Sequence, residues 1–290
     1  MVETDYLQEK ALAKVNLTFR ILGKETKNYH SINSIVTFLP DLYDNVFIKK
    51  NKKLIINTCG KFSKDLSKNG GDTIVTKAIL LLKRKYAIPS NFKVKIEKNI
   101  PLGAGLGGGS ANAAAVSRLI FKMYNLKINK KEIINHLSKL GADIPACYFS
   151  FNQKVEGFGD KLTKLKLFNK NIWILLIKPS VNFSTKEIFK SFSKPFSTMP
   201  KYTYNYKNLI NDINYNKNDL QEAAENSSIV FRNMINSLPI TEEMIAAPKM
   251  TGSGATIFIL FKKKINAINY MVNIEKITQG YWKKISKVIL

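Results

Sequence analysis

Five glycines fall within seven residues, from Gly103 to Gly109, and an alanine-rich stretch beginning at Ser110 follows without a break. No other segment restricts the fold as much. Ordering glycine costs backbone entropy, and a turn into a helix needs one or two glycines at most. A cluster this dense implies a backbone that must come very close to a partner. The predicted helix runs from about Ser110 to Tyr124, with Ser110 at its cap. A helix that starts at such a loop presents bare N–H groups and the positive end of its dipole, a combination that binds phosphate. The Ser110 hydroxyl is placed to reach a phosphate or a magnesium ion. Ala111, Ala113, Ala114 and Ala115 let the helix pack closely.

Two familiar glycine patterns fit this segment poorly. Gly103, Gly105 and Gly108 satisfy the spacing of a dinucleotide fingerprint. That pattern directly follows a strand and is answered by an acidic residue about 20 positions later. Here Pro101 intervenes, and the nearest downstream acid is Glu132. Gly103 and Gly108 also have the spacing of a P-loop, but Gly109 stands where its phosphate-binding lysine belongs.

The chain has 290 residues, enough for one large domain or two small ones without covalent staples. Its apolar runs are far shorter than a bilayer span, and its start has no apolar signal core, so the expected location is the cytoplasm with no membrane partner. Cys59 and Cys147 belong to no CxxC pair or Cys/His cluster, which predicts neither a structural zinc nor a disulfide. The net charge of +25 admits nucleic-acid binding. The lysines are spread evenly, however, and no nucleic-acid-binding signature accompanies them, so no nucleic-acid partner is expected. A positive field still favours anionic small molecules.

Alternating β-branched and aromatic residues predict strands over 14–22, 30–39 and 92–98, with short strands at NVFIKK and KLIINT. Helical spacing predicts a helix over 72–87, capped by Asp72, and a short helix in KKEIINHLSKL. In the second half, 171–178 reads as a buried strand, 186–192 as a short helix and 193–215 as a loop or irregular helix. Residues 218–238 read as one amphipathic helix, 250–261 as a glycine turn and strand, and the tail as helix then strand. The class is α+β. A domain of mixed or antiparallel sheet with helices is expected over 1–165, and a smaller α+β domain over 166–290.

PLGAGLGGGSANAA (101–114) resembles the phosphate loop of the GHMP kinase superfamily. Three further stretches narrow the likeness to its diphosphocytidyl-methylerythritol kinase branch: AKVNLTFRILGKETKNYHSINS (13–34), LGADIPACYF (140–149) and KMTGSGATIF (249–258). EGFGDKL (156–162) and VNFSTKEIF (181–189) are weaker echoes in the same order. The resemblance implies a two-lobed kinase. It would transfer the γ-phosphoryl group of ATP to the 2-hydroxyl of diphosphocytidyl-methylerythritol, a step of non-mevalonate isoprenoid synthesis, with magnesium offsetting the triphosphate charge.

The same resemblance assigns roles. Asp143 is the general base, and Lys14 pairs with it and polarises the acceptor hydroxyl. Asn16 orients the substrate by a hydrogen bond. Tyr29 and His30 read the cytosine, Phe189 supplies the opposite face of a sandwich, and Thr185 touches the substrate. Pro101, Leu102, Gly103, Ala104, Gly105, Leu106, Gly107, Gly108, Gly109 and Ser110 hold the ATP phosphates, with Gly252, Ser253 and Gly254 on the opposite wall. Ser110, with Asp143 as the alternative, is the side chain offered to a metal held mainly by phosphates and water, and His136 is structural. Two departures stand out. Thr73 occupies the place where the family usually has an asparagine tied to adenosine, and Lys27-Asn28 replaces a usual Asp-Gly turn. The rival readings are a related kinase for homoserine or mevalonate, a nucleic-acid binder, and a kinase-derived protein without activity. A base reader has no purpose with homoserine or mevalonate. The protein is expected to be a monomer or homodimer.

Overall fold

The structure, a computed structural model, describes residues 5–26, 29–64, 72–166, 168, 170–201 and 204–290; the side chains of residues 25, 26 and 29 lie outside that description. In the first half of the chain the elements are β1 (Leu7–Asn16), β2 (Arg20–Thr26), β3 (Tyr29–Asn51), β4 (Ile55–Cys59), α1 (Thr73–Lys85), β5 (Asn91–Glu97), α2 (Gly108–Met123), α3 (Lys130–Leu137) and α4 (Ile144–Phe149). Then follow β6 (Gln153–Gly157), β7 (Lys161–Lys164), β8 (Asn171–Lys178), α5 (Thr185–Lys190), α6 (Tyr206–Tyr215), α7 (Gln221–Ser227), α8 (Ile229–Ser237), β9 (Met244–Met250), β10 (Ile257–Phe261), α9 (Lys264–Asn273) and β11 (Trp282–Ile289). Two compact units emerge, each discontinuous in sequence: Met1–Lys14, Leu42–Leu102 and Gly107–Ser150 form one, and Val15–Asp41, Gly103–Leu106 and Phe151–Leu290 the other.

In the first unit the C-terminal half of β3 pairs antiparallel with β5, and β5 pairs parallel with β4. Strict alternation in β5 buries Phe92, Val94 and Ile96 and leaves Lys93 and Lys95 outward. α1 begins where Asp72 accepts the Val75 N–H at 3.2 Å, as its cap position predicts. It buries Val75, Ala78, Ile79 and Leu82 and packs against α2, which in turn packs against α4. The alanines of α2 are buried, so the two helices approach through small side chains.

In the second unit the N-terminal half of β3 pairs with β2 and β6, and β6 with β7, all antiparallel. A separate four-stranded sheet has the order β11-β8-β10-β9. Both central strands of that sheet, β8 and β10, are nearly continuous apolar runs, because both of their faces are covered. Leu175, Ile177, Ile257 and Ile259 share a core with Phe231 and Met234 of α8 and with Tyr270 of α9.

Several local expectations differ from the structure. The predicted strand over 14–22 is two strands, broken at 17–19. Residues 218–238 are two helices, α7 and α8. Ser228 breaks the run with extended backbone, and its hydroxyl accepts the Phe231 N–H to start α8. Within 193–215, read as a loop or irregular helix, Asn205 caps a regular helix, α6, by accepting the Asn208 N–H at 2.9 Å. β9 was not anticipated; Pro248 argues against a central strand, and β9 lies at the sheet edge, where proline is tolerated.

Candidate active site

The first unit brings together the two residues expected to carry the chemistry. Lys14, at the inner end of β1, is 3% exposed in its side chain, and its Nζ lies 2.9 Å from Asp143 Oδ1. Asp143 occupies the N-cap position of α4 yet makes no capping hydrogen bond through its side chain. The helix that would use a capping side chain instead follows with Pro145, whose missing N–H lowers the need for a cap. The carboxylate is therefore turned to the lysine. It is 48% exposed, and its second oxygen has no protein partner among the described residues. Arg118 of α2 donates to the carbonyls of Cys147 and Tyr148 at 2.8 and 2.6 Å and pairs with Glu9 of β1. One side chain thus ties α2, α4 and β1 together. Cys147 lies behind the pair; burial and then the Asp143 charge push its thiol up to about 12, which keeps it protonated and unreactive.

The glycine run is shared between the units: Gly103–Leu106 falls in the second and Gly107 onward in the first. Gly103, Gly105 and Gly107 all have positive φ, at 60°, 69° and 66°. Gly107, not Ser110, is the N-cap of α2, and the helix starts at Gly108. The expected cap is corrected for a simple reason. Gly107 takes the left-handed conformation that ends the loop, so the two following glycines already belong to the first helical turn. Ser110 becomes the third helical residue, and its hydroxyl makes no hydrogen bond among the described residues. A side chain at Gly107 would lie 3.2 Å from the Lys14 Cε, so the end of the loop abuts the lysine.

In the second unit, Gly105 sits against the glycine turn of residues 251–254. A Cβ on Gly105 would be 2.7 Å from the Gly254 carbonyl oxygen and 2.8 Å from that of Thr251. Gly252 and Gly254 also have positive φ. Asn16 is buried beside this turn. Its N–H donates to Thr251 Oγ1 at 2.8 Å, its Nδ2 donates to Ser34 Oγ at 2.7 Å, and its Oδ1 lies 3.2 Å from where a Gly252 side chain would begin. Ser253 is within 2.9 Å of Thr185 Oγ1 at the start of α5, so two residues expected at the site from separate motifs meet.

Sequence reasoning missed the residues that hold this turn. Asn218 Nδ2 donates to the carbonyls of Met250 and Gly252, and its Oδ1 accepts the Leu220 N–H. Gln221 Oε1 accepts the Met250 N–H. Asn218 precedes α7 and Gln221 opens it, within the polar run NDLQEAAENSS, so no local signal set these two amides apart; their burial does, because buried amides must be satisfied by something specific.

Also in the second unit, the His30 ring packs on Phe189 with centroids 5.5 Å apart and planes at 35°, while Phe192 meets the same ring edge-on at 6.2 Å. The Nδ1 of His30 is buried and has no hydrogen-bond partner among the described residues. Burial, then the Lys24 charge, lower its pKa from 6.5, so the imidazole is neutral at neutral pH and carries one donor and one acceptor nitrogen. Tyr29 begins β3, but its side chain lies outside the described residues, as do Lys27 and Asn28 of the preceding turn. His136 is accounted for by packing: its Nδ1 is 3.1 Å from the Tyr86 hydroxyl.

A glycine loop at a helix start beside a lysine–aspartate pair defines the class, and residues 73–151 match the GHMP kinase N-terminal domain. The comparisons then narrow it. The chain is 34% identical to 4-diphosphocytidyl-2-C-methyl-D-erythritol kinase of Clostridium botulinum over 89% of its length and 92% of the relative's. It is 35% identical to the same enzyme of Persephonella marina over 96% and 97%. The chain belongs to the 4-diphosphocytidyl-2-C-methyl-D-erythritol kinase family. The fold agrees. A crystal structure of 4-(cytidine 5'-diphospho)-2C-methyl-D-erythritol kinase superposes with a TM-score of 0.75 at 19% identity, covering 98% of this chain and all of the other. Homoserine kinase from Cytophaga hutchinsonii gives 0.67 at 18% identity, covering 100% of this chain and 96% of the other. Among the described residues, no helix is long and apolar enough to cross a membrane.

Proposed function

We propose that the protein transfers the γ-phosphoryl group of ATP to the 2-hydroxyl of 4-diphosphocytidyl-2-C-methyl-D-erythritol. The observation that carries this reading is the Lys14–Asp143 pair next to the end of the glycine loop. The transfer requires positioning, charge neutralisation and a proton acceptor, and little covalent chemistry from the protein. Residues 101–110 cradle the phosphates with backbone N–H groups and the start of α2, and Gly252, Ser253 and Gly254 line the other wall. The unbonded oxygen of Asp143 takes the proton of the attacking hydroxyl. Lys14 holds that carboxylate in place and polarises the hydroxyl. Asn16 and Thr185 orient the acceptor.

His30 and Phe189, with Tyr29, read the cytosine. The ring contact supplies a stacking face, and the unpaired Nδ1 of a neutral imidazole supports a hydrogen bond to the base edge. A magnesium ion would offset the triphosphate charge. Ser110 at the start of α2 would offer its hydroxyl to the ion, and the phosphates of ATP would supply further oxygens. A cytoplasmic enzyme without a nucleic-acid partner, with residues 1–165 supplying the phosphate loop and the reacting pair and 166–290 completing the acceptor site, is consistent with this reading.

The test is direct. The protein is incubated with magnesium-ATP and the diphosphocytidyl acceptor, ADP is followed, and phosphorus NMR locates the new phosphate. Phosphorylation of the 2-hydroxyl, lost in Asp143→Asn, supports the reading; turnover with homoserine or mevalonate instead refutes the cytosine reader. The KM for the acceptor should rise as pH falls through the lowered pKa of His30, since protonation removes the acceptor nitrogen. The pH range is below 6.5, and His30→Phe should abolish that dependence while raising KM at every pH.

A further inference from the structure

We propose that Lys98 is a positioning residue for the triphosphate, acting through the first turn of α2; the inference rests on the kinase reading above. Lys98 follows the end of β5, is 1% exposed, and forms an ion pair with the fully buried Asp44. Asp44 is itself pinned: its Oδ1 accepts the N–H groups of Asn99 and Ile100 at 2.7 and 2.9 Å. The ammonium is thereby fixed close behind the helix start. A side chain built on Gly108 would reach Lys98 Nζ at 3.6 Å and Ile100 Cγ2 at 3.2 Å.

The sign of this charge is the telling feature. A helix N-terminus carries partial positive charge, and a cation beside it is destabilising on its own. Burying an ion pair is also a poor way to gain stability, since an apolar pair of the same volume often serves as well or better. Both costs reverse in purpose when an anion sits on the loop. The ammonium then adds to the helix end and the bare amides; Asp44 offsets part of its charge, and the low dielectric strengthens what remains at the loop. Asp44 holds the lysine in position and lets it stay charged while buried. The loop has no lysine of its own to meet the phosphates, because Gly109 follows Gly108 in the sequence. Lys98 supplies the charge from behind the backbone instead.

The experiment compares Lys98→Met, Lys98→Arg and the double variant Lys98→Met/Asp44→Asn with the parent, using titration calorimetry with magnesium-ATP and with adenosine, acceptor KM and thermal melting. The double variant removes both charges, keeps an oxygen to accept the Asn99 and Ile100 N–H groups, and is expected to melt near the parent. Its affinity for ATP should nonetheless fall about tenfold, a loss the size of one well-placed charge. Binding of adenosine and acceptor KM should change less than twofold, and Lys98→Arg should keep ATP affinity. If the double variant binds ATP as the parent does, or if Lys98→Arg loses as much as Lys98→Met, the positioning role is wrong and the pair is purely structural. If the parent itself binds no ATP, the kinase reading fails, and that outcome is separate from the other two.

Discussion

Two lysine–aspartate pairs lie in the first unit, and they are built differently. In Lys14–Asp143 the lysine is buried, but the carboxylate is 48% exposed and keeps one oxygen unbonded among the described residues. In Lys98–Asp44 both partners are buried and the aspartate spends its other oxygen on two backbone N–H groups. A carboxylate with a vacant lone pair at the surface can accept a proton from a substrate. A carboxylate whose acceptor sites are filled can only hold its surroundings in place. Identical residue types are therefore held differently, and what distinguishes them is how many hydrogen bonds the backbone has already claimed.

Removing each carboxylate separates the two roles. Asp143→Asn should lower kcat roughly a hundred- to ten-thousand-fold, the usual contribution of a positioned general base. The melting temperature should fall less than in Asp44→Asn, because the half-exposed position of the carboxylate lets water and the new amide oxygen take its place beside Lys14. Asp44→Asn should do the reverse. It leaves a buried lysine unpaired, at about 3–5 kcal/mol of stability, while kcat per folded molecule stays within a few-fold of the parent. Rapid-quench kinetics and calorimetric melting on the same preparations check both. Equal losses of kcat in the two variants would break the contrast.

Gly107→Ala sharpens it further. Its φ of 66° strains any L side chain by about 1–2 kcal/mol. The new methyl would also crowd Lys14 Cε at 3.2 Å and push the ammonium off Asp143. The expected result is a moderate drop in melting temperature together with at least a tenfold loss of kcat. A stability loss with unchanged kcat would mean that the Lys14 geometry tolerates more movement than its burial suggests.

The legible parts of this molecule were those written in local chemistry. β5 alternates, α1 has Asp72 and a proline beyond its end, and β8 is an unbroken apolar run, so each could be placed from neighbouring residues alone. The glycine loop and the Lys14, Asp143 and Gly252–Gly254 motifs were likewise legible as motifs. Partners distant in sequence were not. Nothing near Asn218 announces that its amide holds a turn more than thirty residues away, and nothing in EKNIP says that the Lys98 ammonium is buried against Asp44. Ser110 was misplaced as a cap for a related reason. A run of glycines gives no local clue to which one turns left-handed, and that choice depends on what the loop packs against.

A third buried carboxylate gives the smallest test. Asp72 caps α1, accepting from the Val75 N–H at 3.2 Å and from Asn112 Nδ2 at 3.3 Å. Among the described residues no lysine is bonded to it, and burial raises its pKa above 3.8 despite the Lys98 charge. The native state therefore binds the Asp72 proton more tightly than the unfolded chain does. Its ionised form costs stability at neutral pH, and that cost fades as pH falls through the raised value and is gone below 3.8. Asp72→Asn keeps an acceptor for the cap and adds a donor for Asn112 Oδ1, which is buried and without a partner among the described residues. Melting near pH 7 should rise by about 2–4 °C, the shift expected for roughly 1 kcal/mol in a chain of this size. The gain should shrink toward zero in acid. A loss of stability at neutral pH would show that Asp72, like Asp44, is held as a needed anion, and would place it with the Lys98 pair.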